Sequence, residues 1–89
     1  MYYVYILRCA DKTLYTGICV DLARRVREHN SSVLGAKYTR GRRPVKLIFS
    51  QKFRNRSSAQ AKEYRIKQLS QSEKLEIIRK ANYERKQSR

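Results

Sequence analysis

Hydrophobic and polar positions alternate in two short runs at the start of the chain, separated by the polar stretch Ala10-Asp11-Lys12-Thr13. Residues 2–9 and 14–20 are rich in β-branched and aromatic side chains, so the pattern predicts a β-hairpin. Asp21 then stands as an N-cap, and the stretch to Asn30 reads as a short helix. Residues 30–44 are polar and basic, contain two of the three glycines, and read as a loop. Residues 45–53 restore a strand pattern whose apolar side chains extend the sheet. Ser57 or Ser58 is placed to cap a helix running to about Leu69. Ser70, with Glu73 three residues on, forms a capping box for a last helix. The order ββα-β-αα predicts an α+β fold: a small three-stranded, mostly antiparallel sheet flanked by three helices. Residues 1–81 make a single domain, and residues 82–89, with one aromatic ring and mostly charge, read as a basic C-terminal tail.

The hairpin has a preferred register. If paired positions sum to about 22, Cys9 faces Thr13, Leu7 faces Tyr15 and Tyr5 faces Gly17. Tyr5 and Tyr15 then share one face as diagonal neighbours, roughly 7–8 Å apart, and Gly17 leaves a notch opposite Tyr5. Two core tyrosines with satisfied hydroxyls would account for the same pattern. On the following helix, Leu22, Arg25, Val26 and His29 fall on one side, with Arg24, Arg27 and Glu28 on the other. Arg25 at the flank of an apolar face either snorkels to water or meets an anion. Glu63 falls between Ala59 and Ile66 on the apolar side of a later helix. A carboxylate there calls for a cation: a nearby Arg, an i,i+4 pair with Lys67, or a metal.

Charge narrows the class of partner. The 89 residues carry a net charge of +15, with nine basic and three acidic side chains in residues 1–45, thirteen and four in the rest. Such an excess points to a polyanion, most economically nucleic acid. No apolar run approaches the ~20 residues that cross a bilayer, and nothing at the N-terminus reads as a signal peptide. A cytoplasmic monomer with no membrane or protein partner is expected. Cys9 and Cys19, the only cysteines, do not face each other in the hairpin. With His29 they lack a fourth ligand and paired spacing for zinc, so reduced thiols are expected.

Taken together these residues resemble the GIY-YIG nuclease domain. The two name motifs stand as Tyr3-Val4-Tyr5 and Tyr15-Thr16-Gly17, with Tyr3 where the name has Gly; Arg25 and His29 follow ten and fourteen residues after Tyr15. Glu63 lies on a later helix, as the family's metal ligand does. The stretch Gly-Ala-Lys-Tyr-Thr-Arg-Gly-Arg-Arg-Pro-Val-Lys-Leu, residues 35–47, looks like the small stand-alone bacterial members. The resemblance implies hydrolysis of a phosphodiester bond, with Tyr5, Tyr15, Arg25, His29 and Glu63 as catalytic residues. Tyr15 would be the general base, Tyr5 would orient water or phosphate, and Arg25 would neutralise charge on the phosphoryl oxygens. His29 would bind phosphate or assist proton transfer. Glu63 would hold one Mg²⁺ or Mn²⁺. Lys37, Tyr38, Arg40, Arg42 and Arg43 would contact nucleic acid, DNA ahead of RNA, by phosphate contacts and one stacking ring. The expected activity is a structure-preferring endonuclease with weak sequence specificity, of use in repair or recombination. The alternative is a nucleic-acid-binding domain on the same fold that does not cut. Many members carry a late Asn; Asn82 falls on the presumed tail and is given no role.

Overall fold

A computed structural model describes residues 1–31 and 33–87. Strands β1 (Tyr2–Arg8) and β2 (Leu14–Cys19) form the hairpin, followed by α1 (Leu22–Ser31), α2 (Lys37–Arg40), β3 (Lys46–Phe53), α3 (Arg56–Lys67) and α4 (Gln71–Gln87). The sheet order is β2-β1-β3, and both pairings are antiparallel. The hairpin has the register expected: Tyr5 pairs with Gly17 and Leu7 with Tyr15. Its turn closes through Cys9 N–H to Thr13 C=O and Lys12 N–H to Cys9 C=O, both 2.9 Å. Lys12 takes the left-handed conformation at φ 69°, and the Asp11 carboxylate accepts from Thr13 N–H at 3.1 Å.

Being central, β1 is covered on both faces, and Val4, Tyr5, Ile6 and Leu7 are all buried. A strand enclosed on both sides loses strict alternation. Val4 and Ile6 pack with Phe49 and with Ala59, Ile66 and Ile78 from α3 and α4. Tyr5 and Leu7 pack on the opposite face with Cys9, Val45, Leu22 and Val26, beneath α1. The molecule is therefore helix, sheet, helices, with separate small cores above and below the sheet. A bulge between Ile6 and Leu7 shifts the pairing with β3.

Local signals set most boundaries. Asp21 caps α1 by accepting from Arg24 N–H at 3.1 Å. Ser70 and Glu73 make the reciprocal capping box: Ser70 N–H donates to Glu73 at 2.8 Å and Glu73 N–H to Ser70 Oγ at 3.2 Å. Three boundaries differ from expectation. The cap of α3 is Asn55, which accepts from Ser58 N–H at 2.8 Å, so that helix starts two or three residues earlier than Ser57 or Ser58 would place it. The loop before β3 contains the short helix α2. Residues 82–87, expected in the tail, continue α4 to Gln87, because no breaker interrupts them; the last two positions lie outside the described residues.

Candidate active site

The site is built where the hairpin meets α1. Because Tyr5 pairs with Gly17, its ring lies across β2: a Cβ on Gly17 would stand 2.5 Å from Tyr5 Cζ and 3.0 Å from Cε2. The Tyr5 and Tyr15 ring centroids are 6.4 Å apart. His29, one turn beyond Arg25 on α1, reaches into the same layer. It is wholly buried, with its Nε2 2.8 Å from the Tyr5 hydroxyl. Its ring meets Tyr15 edge-on at 5.2 Å. Burial pushes the His29 pKa down to about 4, and the charges of Arg25 and Arg43 add to the effect. The imidazole is neutral at physiological pH.

Arg25 borders this group from the solvent side. It donates to Glu28 at 2.9 Å and to the Leu34 carbonyl at 2.8 Å, and its charge acts on the Tyr5 hydroxyl. Burial works against that charge, but the Tyr5 oxygen and the Glu28 carboxylate outweigh it and push the Arg25 pKa up. Burial likewise pushes the Tyr5 phenol up to about 12, against the opposing pull of Arg25. Tyr5 is thus a protonated, buried hydrogen-bonding group and a poor base. Tyr15 differs: it is half-buried, and among the described residues its hydroxyl makes no hydrogen bond.

The loop after α1 is a strap drawn across this site. Gly35 passes so close to α1 that a Cβ would lie 2.6 Å from the Glu28 carbonyl and 2.9 Å from His29 Cα. Tyr38 stacks on Tyr15 at 5.8 Å, and the Arg42 guanidinium lies over Tyr38, 4.0 Å from its centroid. Arg42 also bonds Asp11 at 2.9 Å and the Tyr38 carbonyl at 2.8 Å. Arg43 donates to the His29 carbonyl at 2.6 Å, and Arg40 to the Val33 carbonyl at 2.8 Å. These arginines tie the strap to itself, to α1 and to the hairpin turn. Each guanidinium has five N–H donors, so Arg40 and Arg42 keep further donors able to meet phosphate while they tie the strap. Lys37 and Tyr38 are exposed.

Sequence reasoning missed Thr39. It is wholly buried, and its Oγ lies 2.8 Å from His29 Nδ1. A polar residue in a basic loop carries no sequence signal that it will be buried. The only clue was its place ten residues after His29, beside Tyr38.

Glu63 stands apart. Its α3 neighbours Ala59 and Ile66 pack on the Val4 and Ile6 face, across the sheet from the tyrosines. Its carboxylate pairs with Lys67 Nζ at 3.3 Å, with 18% of the side chain exposed against 50% for Lys67. Of the cations open to it from sequence, the structure supplies Lys67. Among the described residues no three His, Cys, Asp or Glu converge on a metal position. Asn82, on α4, lines a cleft of about 390 Å³ with Arg8 and Phe49 along β3, away from the tyrosines. Cys9 is buried, Cys19 is half-buried, and both are reduced.

A hairpin with two tyrosines on one face, an Arg and a His one turn apart on the next helix and a glutamate on a helix behind the sheet are the features of a nuclease-family domain. The chain matches the GIY-YIG catalytic domain over residues 1–76 and belongs to that family. Among its relatives are small proteins of the UPF0213 group. That of Clostridium perfringens is 48% identical over 90 residues, covering 96% of each chain. That of the archaeon Halobacterium salinarum is 53% identical over 74 residues, covering 83% of this chain and 95% of the relative. The solution NMR structure of a UPF0213 protein from Bacillus halodurans superposes with a TM-score of 0.57 at 43% identity, covering 88% of this chain and 83% of that one. No helix among the described residues is long and apolar enough to cross a membrane.

Proposed function

We propose that this protein is a cytoplasmic endonuclease that hydrolyses phosphodiester bonds in structured nucleic acid, DNA in preference to RNA, with the help of one divalent cation. The observation that carries this reading is the meeting of Tyr5, Tyr15, Arg25 and His29 on one face of the sheet, with only the Tyr15 hydroxyl left uncommitted. Tyr15 takes the proton of the attacking water as general base, and Arg25 neutralises charge developing on the phosphoryl oxygens. Tyr5 and His29, buried and bonded to each other, pack against the Tyr15 ring.

Glu63 is the carboxylate that would hold a single Mg²⁺ or Mn²⁺, ions that keep most of their waters and share ligands with the substrate phosphate; the structure pairs it with Lys67 and does not itself bring it to Tyr15. The bound ion would supply Lewis-acid stabilisation of the leaving oxygen. Lys67 is exposed enough to swing away and yield the carboxylate. The strap, with Lys37, Tyr38, Arg40, Arg42 and Arg43, meets the backbone of the substrate. Because Tyr38 carries Tyr15 on its ring and Arg42 above it, a base stacks there only after Arg42 moves.

The Lys67 pair also favours a second reading, a nucleic-acid-binding domain that does not cut. The test is a panel of labelled DNA and RNA structures incubated with Mg²⁺ or Mn²⁺. Wild type is expected to cut, and Glu63→Gln and Tyr15→Phe to lose at least about a hundredfold in rate, within the span of general-base catalysis. A half-exposed ion pair contributes only about 0–1 kcal/mol, so Glu63→Gln should melt within a few degrees of wild type. Wild type that binds the panel and cuts nothing establishes the second reading.

A further inference from the structure

We propose that Thr39 is a positioning residue that fixes the tautomer of His29 and, through it, the direction of the buried Tyr5 hydroxyl. The hydrogen-bond chain has two ends. At one, the Tyr5 hydroxyl is buried, and its one hydrogen bond among the described residues is with His29 Nε2, 2.8 Å away. The phenol hydrogen is paired only if Nε2 is the unprotonated ring nitrogen. At the other end the Ala36 carbonyl can only accept, and it takes the Thr39 hydroxyl hydrogen at 2.9 Å. Thr39 Oγ is left to accept from His29 Nδ1 at 2.8 Å. Both ends demand the same tautomer, with the proton on Nδ1.

The opposite tautomer satisfies fewer groups. With the proton on Nε2, His29 would donate to Tyr5, and the phenol hydrogen would have no acceptor among the described residues. That leaves a buried O–H unpaired, at the full desolvation cost of the group. One contact favours it: Ala36 N–H points at Nδ1, at 3.4 Å. At that length it is the weakest bond in the group. The close approach of Gly35 to α1 brings Ala36 and Thr39 within reach of His29, so the strap, and not α1 alone, selects the tautomer. The catalytic side of this inference rests on the nuclease reading above; the tautomer does not.

The test compares wild type with Thr39→Val, which keeps the shape and removes the hydroxyl, and Thr39→Ser, which restores it. The ¹⁵N chemical shifts of the His29 ring should show the Nδ1–H form in wild type and in Thr39→Ser. In Thr39→Val the Nε2–H form should become populated. On the cleavage panel, Thr39→Val should lower kcat roughly tenfold, the equivalent of one hydrogen bond, with KM unchanged and Thr39→Ser near wild type. An Nε2–H form in wild type overturns the proposal, as does a folded Thr39→Val with unchanged tautomer. If Thr39→Val does not fold, the tautomer of wild type and of Thr39→Ser decides. A wild type that cuts nothing defeats the nuclease reading instead, and the ring shifts still decide this one.

Discussion

His29 is the only histidine in the chain, and its burial makes it a titration probe for the whole site. Its folded pKa of about 4 lies below the ordinary 6.5, so the folded state takes up its proton less readily than the unfolded chain does. The neutral ring therefore contributes stability that is fully present above pH 6.5 and lost progressively as the pH falls towards 4. The carboxylates held low by hydrogen bonds, Asp11, Glu28 and Glu73, lose their contribution only at more acid pH. Thermal melts between about pH 7 and pH 5 should thus show a decline owed to His29. A melting temperature that is flat across that interval would mean that His29 is solvated or already charged. At the same scale, Tyr5 and Tyr15 were read together from the alternation. Their division of labour was not, because it depends on which hydroxyl the helix and strap enclose.

At the scale of elements, the hairpin, α1, β3 and the two long helices were legible because their signals are local: turn residues, caps and periodicity. The strap was read only as a loop. Its path depends on contacts between distant parts of the chain, above all Gly35 against α1 and Arg42 to Asp11. Its far end is held by Asn30, which accepts from Val45 N–H at 2.7 Å and donates to the Val45 carbonyl at 3.1 Å. This two-pronged clamp satisfies the backbone of a buried residue just before β3 begins. Asn30→Ala leaves both groups unpaired and should cost about 1–3 kcal/mol. Urea denaturation would show the loss, and hydrogen exchange should quicken at the Val45 amide. Unchanged exchange there would mean that water or another group replaces the side chain.

Over the whole molecule, six of the seven acids are used locally. Asp21 and Glu73 cap helices, and Asp11, Glu28, Glu63 and Glu76 pair with basic neighbours. The excess of +15 thus remains as a field over the surface, suited to a polyanion. Affinity for duplex DNA should fall with salt at a log–log slope of about −0.9 for each phosphate contacted. Replacing Lys37 and Arg40 together should make that slope shallower by up to about 1.8 for duplex, for all sequences alike. Arg42→Ala should in addition lower the melting temperature, since Arg42 also ties the strap to the hairpin turn. Binding that does not respond to salt would rule out a phosphate footprint.

The sequence by itself determined what short-range physics governs: the α+β element order, the hairpin register that places Tyr5 against Gly17, the helix face shared by Arg25 and His29, and the charge. Turn chemistry, capping and side-chain periodicity each act within a few residues, so they can be read along a single chain. Tertiary structure decided the rest. It buried Thr39, committed the strap arginines to carbonyls, paired Glu63 with Lys67 and set α3 across the sheet from the tyrosines. Those outcomes depend on which polar groups lose their water together, and that is settled only when distant segments pack.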